Sequence, residues 1–156
     1  MAGLRNMRKS LKPGGIMTMI VWRGIDDNPW LGSAKKTILK FLPPPGENAQ
    51  SCGPGPFSMA DTGVVTKQLE IAGYKDIAFE QVDAEVFVGK DVDDAVAFQL
   101  ALGPAGEIYR EAGKLAEDRH AEIAEALKVS LAKYQRPNGI MMDSSSWKVT
   151  ARNPAA

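Results

Sequence analysis

Three aromatic residues stand where chemistry could be built. Trp22 closes an apolar run, Trp30 follows an Asn-Pro pair that opens a helix, and Phe57 lies just past a stretch rich in glycine and proline. Ligands in open α/β sheets bind beyond the carboxyl ends of strands, and small-molecule pockets are commonly walled by aromatic rings. The trio therefore serves either as one wall of a pocket at the end of the first strand or as core packing.

The other chemically capable residues point to less. His120 sits among charges in Asp118-Arg119-His120-Ala121-Glu122 and reads as a surface histidine, because a catalytic one needs a base or metal partner. Cys52 has no basic neighbour to lower its pKa and reads as an unreactive thiol. With one cysteine and one histidine, the chain has neither an intrachain disulfide nor a cysteine-based metal cluster. Asp26 and Asp27 fall in a loop, and Asp91, Asp93 and Asp94 fit the start of a helix, where acids favour the dipole; no metal is expected. Gly53-Pro54-Gly55-Pro56 resembles a phosphate loop only superficially, since a phosphate cradle works through backbone N–H groups and each proline removes one. No glycine-rich nucleotide fingerprint occurs elsewhere in the chain.

The elements that must position these residues begin with 4–22. Leu4, Met7, Arg8 and Leu11 recur at helical spacing, and Pro13-Gly14-Gly15 stops the helix. The next seven residues, Ile16 to Trp22, are apolar at odd and even positions alike apart from Thr18. That is the pattern of a central strand covered on both faces of an α/β sheet. Asn28 and Pro29 then open a helix whose buried stripe is Trp30, Leu31, Ala34, Ile38, Phe41 and Leu42. Pro43-Pro44-Pro45-Gly46 ends it and starts the longest irregular stretch, which reads as a lid.

A helix over 61–72 follows, with Val64, Val65, Leu69 and Ile71 as its apolar positions and Gly73 as its stop. Residues 77–88 read as one long or bent strand at a sheet edge, broken near Asp83. Asp91 caps a helix running to Gly103, with Asp94 in the capping-box position. Residues 104–134 form a long helical segment interrupted near Gly113, Arg136-Pro137-Asn138-Gly139 is a turn, and 145–152 alternate as a half-exposed final strand.

With 156 residues, the chain fits a single domain over 1–156. Nineteen basic and nineteen acidic side chains cancel, which disfavours nucleic acid and anionic lipid as partners. The longest apolar run falls far short of the roughly 20 residues a membrane span needs, so no membrane association is expected and the location reads as cytoplasmic.

One resemblance gathers these pieces. The segment LRNMRKSLKPGGIMTMIVW resembles the part of class I S-adenosylmethionine-dependent methyltransferases where a helix ends in Leu-Lys-Pro-Gly-Gly and feeds the fifth strand of the sheet. The series that follows is similar to a small-molecule branch of that superfamily, of the kind that acts in ubiquinone and menaquinone biosynthesis. It comprises Asn28-Pro29-Trp30, Gly55-Pro56-Phe57-Ser58-Met59-Ala60-Asp61, Ala72-Gly73-Tyr74 and Ser146-Trp147-Lys148-Val149-Thr150-Ala151. The resemblance implies a partial Rossmann-like methyltransferase fold of about three strands, the fifth to seventh of the family sheet, with surrounding helices. In that sheet the fifth strand lies between the fourth and the seventh, and the sixth lies outside.

The resemblance also implies S-adenosylmethionine as cofactor and a small-molecule acceptor lined by Trp22, Asn28, Trp30 and Phe57. Methyl transfer would be a direct displacement governed by orientation rather than by a dedicated base. The family's glycine-rich donor loop and the acidic residue after its second strand correspond to positions that would precede Met1. The expectation is therefore a C-terminal, substrate-side half that transfers methyl groups only when a complementing N-terminal half binds the donor, and is inactive alone. A second expectation is a non-catalytic interaction module, a homodimer joined along the bare edge of strand 16–21.

Overall fold

The computed structural model describes residues 2–46 and 55–154. Helix α1 (Ala2–Lys9) leads through a turn, in which Gly14 takes φ +78° and the Gly15 N–H bonds the Lys12 carbonyl at 2.9 Å, into strand β1 (Ile16–Trp22). A short 3-10 turn (Ile25–Asp27) precedes α2 (Pro29–Ile38). Helix α3 (Thr62–Ala72) and strand β2 (Lys75–Gly89) follow, then α4 (Val92–Ala101), α5 (Gly103–Ala112), α6 (Lys114–Asp118) and α7 (His120–Leu131). A second 3-10 turn (Ala132–Tyr134), a two-residue β3 (Gln135–Arg136) and the long β4 (Gly139–Arg152) complete the described elements. The protein is a mixed helix-and-strand structure whose sheet runs in the order β1-β4-β2, with β3 paired to β4 off that path.

β4, the last strand in sequence, is the middle one of the three long strands. It pairs antiparallel with β1 from Ile16↔Arg152 to Trp22↔Ser146. On its other side Arg152 meets Asp76, Lys148 meets Glu80 and Ser145 meets Asp83, so four or three steps forward on one strand match the same number back on the other. The final strand keeps the alternation read from the sequence, with Val149 and Ala151 buried on one face and Lys148, Thr150 and Arg152 half-buried or exposed on the other, while Ser144, Ser145 and Ser146 at its start are buried. β2 is an edge strand, as its polar interruptions predict, and it runs through Asp83 without a break.

Among the described residues β1 has a single ladder partner, so the central position expected of it is not what the structure gives. Its burial alternates: Met17 is buried and Met19 half-buried, whereas Ile16, Thr18 and Ile20 are exposed.

The chain divides into two compact units. The first comprises the described residues of 1–24, 53–83 and 145–156. Its core is Met17, Val65, Leu69, Ala72, Tyr74, Val149 and Ala151, flanked by Leu4, Leu11, Phe79 and Trp147. Full burial contributes about 2 kcal/mol for each of Val65, Leu69 and Val149. Two helices cover that sheet face, α1 and α3 in mutual contact. Asp61 caps α3 by accepting the Val64 N–H at 2.8 Å, and Gly73 ends it at φ +92°. Val64 and Ile71 are exposed because the packed stripe of α3 is Val65, Leu69 and Ala72, and Met7 is exposed on α1, where Arg8 instead donates to the Ala72 carbonyl at 2.8 Å and to Asn153 Oδ1 at 2.9 Å.

The second unit comprises the described residues of 25–52 and 84–144. Helices α2, α4, α5 and α7 pack on one another around Ile38, Leu42, Val96, Ile108, Ile123, Leu127 and Leu131, with Ile140 and Met142 from β4. The helical segment after Gly103 breaks twice: at Gly113, which takes φ +51°, and again at Arg119, whose Nη1 donates to the Phe41 carbonyl at 2.7 Å. Arg136 and Gly139 pair, so the expected turn closes a tight hairpin that lengthens the last strand by six residues.

Candidate functional site

In the first unit the carboxyl end of β1 carries Trp22 and then Arg23. The Arg23 guanidinium donates from Nη1 to Ser145 Oγ at 3.0 Å and lies 4.8 Å over the Trp147 ring. Ser145 in turn donates its hydroxyl proton to Asp83 Oδ1, whose other oxygen accepts Gln81 Nε2 at 2.8 Å. These two hydrogen bonds, with the charge of Arg23 behind them, hold the Asp83 carboxyl below its ordinary value, so it stays ionised. The Ser145 hydroxyl bridges two charges, donating to the Asp83 carboxylate and accepting from the Arg23 guanidinium. Trp147 is fixed edge-on to Phe79 at 6.1 Å and through its indole N–H, which donates to the Ala60 carbonyl at 3.0 Å. The 55–60 segment that carries Phe57 is thereby tied to β4. Phe57 itself is half-buried in a turn.

In the second unit Asn28 and Trp30 are joined. Asn28 occupies the N-cap position of α2 but bonds no helix N–H through its side chain. Its Oδ1 instead accepts the Trp30 indole N–H at 3.2 Å, and Asn28 is buried. The Trp30 carbonyl accepts Gln99 Nε2 at 2.6 Å, and the Trp30 ring lies 6.5 Å from Phe98. Gln99 is fully buried, and its Oε1 has no hydrogen-bond partner.

Of the four acceptor residues expected from sequence, the structure thus couples Asn28 with Trp30 in one unit and places Trp22 and Phe57 in the other. Sequence reasoning passed over Arg23, Asp83, Ser145 and Gln99. Gln99 was visible in principle, as a polar residue three after Val96 on the buried stripe of α4. The serine run 144–146 inside an alternating strand was a comparable signal.

The remaining candidates are occupied structurally. The His120 ring pairs with the Tyr109 hydroxyl at 2.8 Å. Asp26 is paired with Lys36 at 2.8 Å, and that hydrogen bond and charge depress its pKa. Asp91 caps α4 through the Asp94 N–H, Asp94 accepts the Lys90 N–H, and Asp93 pairs with Lys128 at 2.6 Å. Among the described residues no group of three or more metal-binding side chains converges. Cys52 and most of the expected lid lie outside the described residues. No helix among the described residues is long and apolar enough to cross a membrane. An open cleft of about 500 Å³ runs between α2 and α7, lined by Thr37, Phe41, Glu125 and Val129, and takes in none of the four expected residues.

The fit to S-adenosylmethionine can be tested where β1 runs into α2. A donor cradle needs several backbone N–H groups free to converge on the ligand. Here the N–H groups of Asn28, Leu31 and Gly32 are already bonded to the Ile25 and Asn28 carbonyls at 2.9–3.1 Å, and Pro29 has none. A Cβ on Gly32 would meet the Ile25 carbonyl at 2.7 Å, so that glycine serves close packing rather than a ligand. These residues do not fit the donor. No family model matches the chain, and no curated protein matches it.

Proposed function

We propose that this chain is the substrate-side part of a class I S-adenosylmethionine-dependent methyltransferase-like fold, partial and Rossmann-like, which serves methyl transfer to a small molecule only when a donor-binding half completes it. The observation that carries the reading is the strand order β1-β4-β2. The resemblance implies that the seventh strand lies between the fifth and the sixth, and β1, β2 and β4 stand in chain order as fifth, sixth and seventh. A chain that merely ran strand to neighbouring strand would give β1-β2-β4.

In this reading the acceptor is oriented beyond the carboxyl end of β1, against Trp22, with Arg23 held rigid by Ser145 and Trp147. Asn28 and Trp30 brace one another through their side-chain hydrogen bond, and Phe57 is carried on the segment that Trp147 anchors. The role of Trp22, Arg23 and Phe57 is binding and orientation, which suffices for a displacement that needs no dedicated base. Donor binding falls to residues outside this set.

Two calorimetric titrations with S-adenosylmethionine test the proposal. The chain alone is expected to give no heat of binding. The chain fused at its N-terminus to the first four strands of a class I methyltransferase is expected to bind. Tight binding by the chain alone overturns the account of the donor site, and a fusion that folds cooperatively yet does not bind overturns the family reading.

A further inference from the structure

The solvent face of the first unit's sheet changes character across its width. β2 and β4 are joined there by two ion pairs, Arg152 with Asp76 at 3.1 Å and Lys148 with Glu80 at 2.9 Å. The register continues each row onto β1, where Arg152 stands beside Ile16 and Lys148 beside Ile20. Those isoleucines are 54% and 61% exposed. The charged pairs occupy β2 and β4, and the most exposed apolar side chains of this face, Ile16 and Ile20, stand on the edge strand β1, with the less exposed Val82 on β2.

That edge has none of the features that keep edge strands apart. Ile16–Trp22 contains no charge, no proline and no glycine. The Arg23 N–H bonds the Ser145 carbonyl, and the Asn153 N–H bonds the Gly15 carbonyl, so odd-numbered positions direct their backbone groups at β4. Those of Thr18 and Ile20 therefore point the other way, along the open edge.

We infer that β1 pairs antiparallel with β1 of a second copy of this chain, about a two-fold axis at Met19. This register sets Thr18 opposite Ile20 of the second copy, both outward-bonding positions, and Met19 opposite itself. Facing residues have the same parity, so the exposed isoleucines of both copies gather on one face while Met17, Met19 and Val21 extend the buried face across the axis. A shift by one residue would oppose bonding to non-bonding positions and mix the faces. An uncharged strand also brings no like charges together on self-pairing, and an isologous contact closes at two copies. The inference is independent of the methyltransferase reading, although a donor-binding half that added a strand to β1 would compete for the same edge.

Light scattering on the size-exclusion peak at micromolar concentration is expected to give twice the chain mass. Ile20→Lys is expected to give the single mass with an unchanged far-UV circular dichroism spectrum, since that side chain touches no core. In a Cys52→Ser background, Met19→Cys is expected to form an interchain disulfide on oxidation, because facing Cα atoms in such a pair lie about 4.5 Å apart. Val129→Cys, on the exposed side of α7, is the control expected to stay single. A monomeric wild type, an Ile20→Lys variant that remains dimeric, or equal cross-linking by the control overturns the pairing.

Discussion

Trp147 on β4 donates its indole N–H to the carbonyl of Ala60, 87 positions earlier in the chain, at 3.0 Å. The bond fixes the turn that carries Phe57 to the middle strand of the sheet, while the same ring packs on Phe79 and beneath Arg23. Trp147→Phe keeps most of the ring and removes the donor, so chemical denaturation is expected to show a loss of about 1 kcal/mol. Trp147→Ala also removes the platform for Arg23 and is expected to cost about 2–3 kcal/mol.

Gln99 tests the opposite situation, a polar side chain whose burial is only half compensated. Its Nε2 bonds the Trp30 carbonyl while Oε1 is unpaired. Gln99→Met gives up one hydrogen bond but also removes the orphaned acceptor and keeps the volume. The expected change in unfolding free energy lies within about 1 kcal/mol. Gln99→Ala leaves a cavity and is expected to lose about 2 kcal/mol more in the same denaturation assay.

Asp83 and Asp26 both have pKa values below the ordinary 3.8. A carboxyl whose folded pKa is depressed contributes stability above its unfolded value, and that contribution is lost as pH falls through the folded value. Thermal melts recorded downward from pH 5 are therefore expected to show wild type and Asp83→Asn converging below pH 4. A constant gap across that range would show that Asp83 does not act through its charge.

Burial raises the pKa of Tyr74, whose hydroxyl reaches the Leu4 carbonyl at 3.4 Å. The sign is reversed relative to the carboxyls: this contribution is intact below the ordinary value of 10.0 and is lost as pH rises through the higher folded value. Tyr74→Phe removes the ionisation, and its alkaline unfolding is expected to begin at higher pH than that of wild type.

Gly73 closes α3 at φ +92°, and a Cβ there would meet Arg8 Nε at 2.9 Å. Arg8 cannot easily give way, because it is bonded to both Ala72 and Asn153. Gly73→Ala is expected to cost at least the roughly 1–2 kcal/mol of a left-handed backbone in chemical denaturation, with the clash against Arg8 added to it.

Local signals carried most of the secondary structure. Pro13-Gly14-Gly15 stops α1, Asp61 and Gly73 bracket α3, and Asp91 caps α4, each through a backbone requirement that a few neighbouring residues settle. What was not legible depends on partners distant in sequence. The apolar run at β1 reads as covered on both faces, yet only alternate side chains find a core. Residues 140–144 carry no assignment from the sequence, yet Ile140 and Met142 are buried because α7 and its neighbours pack there. The site divides in the same way. Trp22 and Trp30 stand out by type, whereas Arg23, Ser145 and Asp83 acquire meaning only when β1, β4 and β2 are aligned.

The position of β4 has a kinetic consequence. Ile16 pairs with Arg152, so β1 finds its neighbour in the sheet only when β4, far along the chain, has been made. β1 and β2 do not touch without β4 between them, and closing so long a loop delays the sheet's formation. Until then the first unit, α3 included, lacks Val149 and Ala151 from its core, while α2, α4, α5 and α7 of the second unit have almost all of their packing partners already to hand.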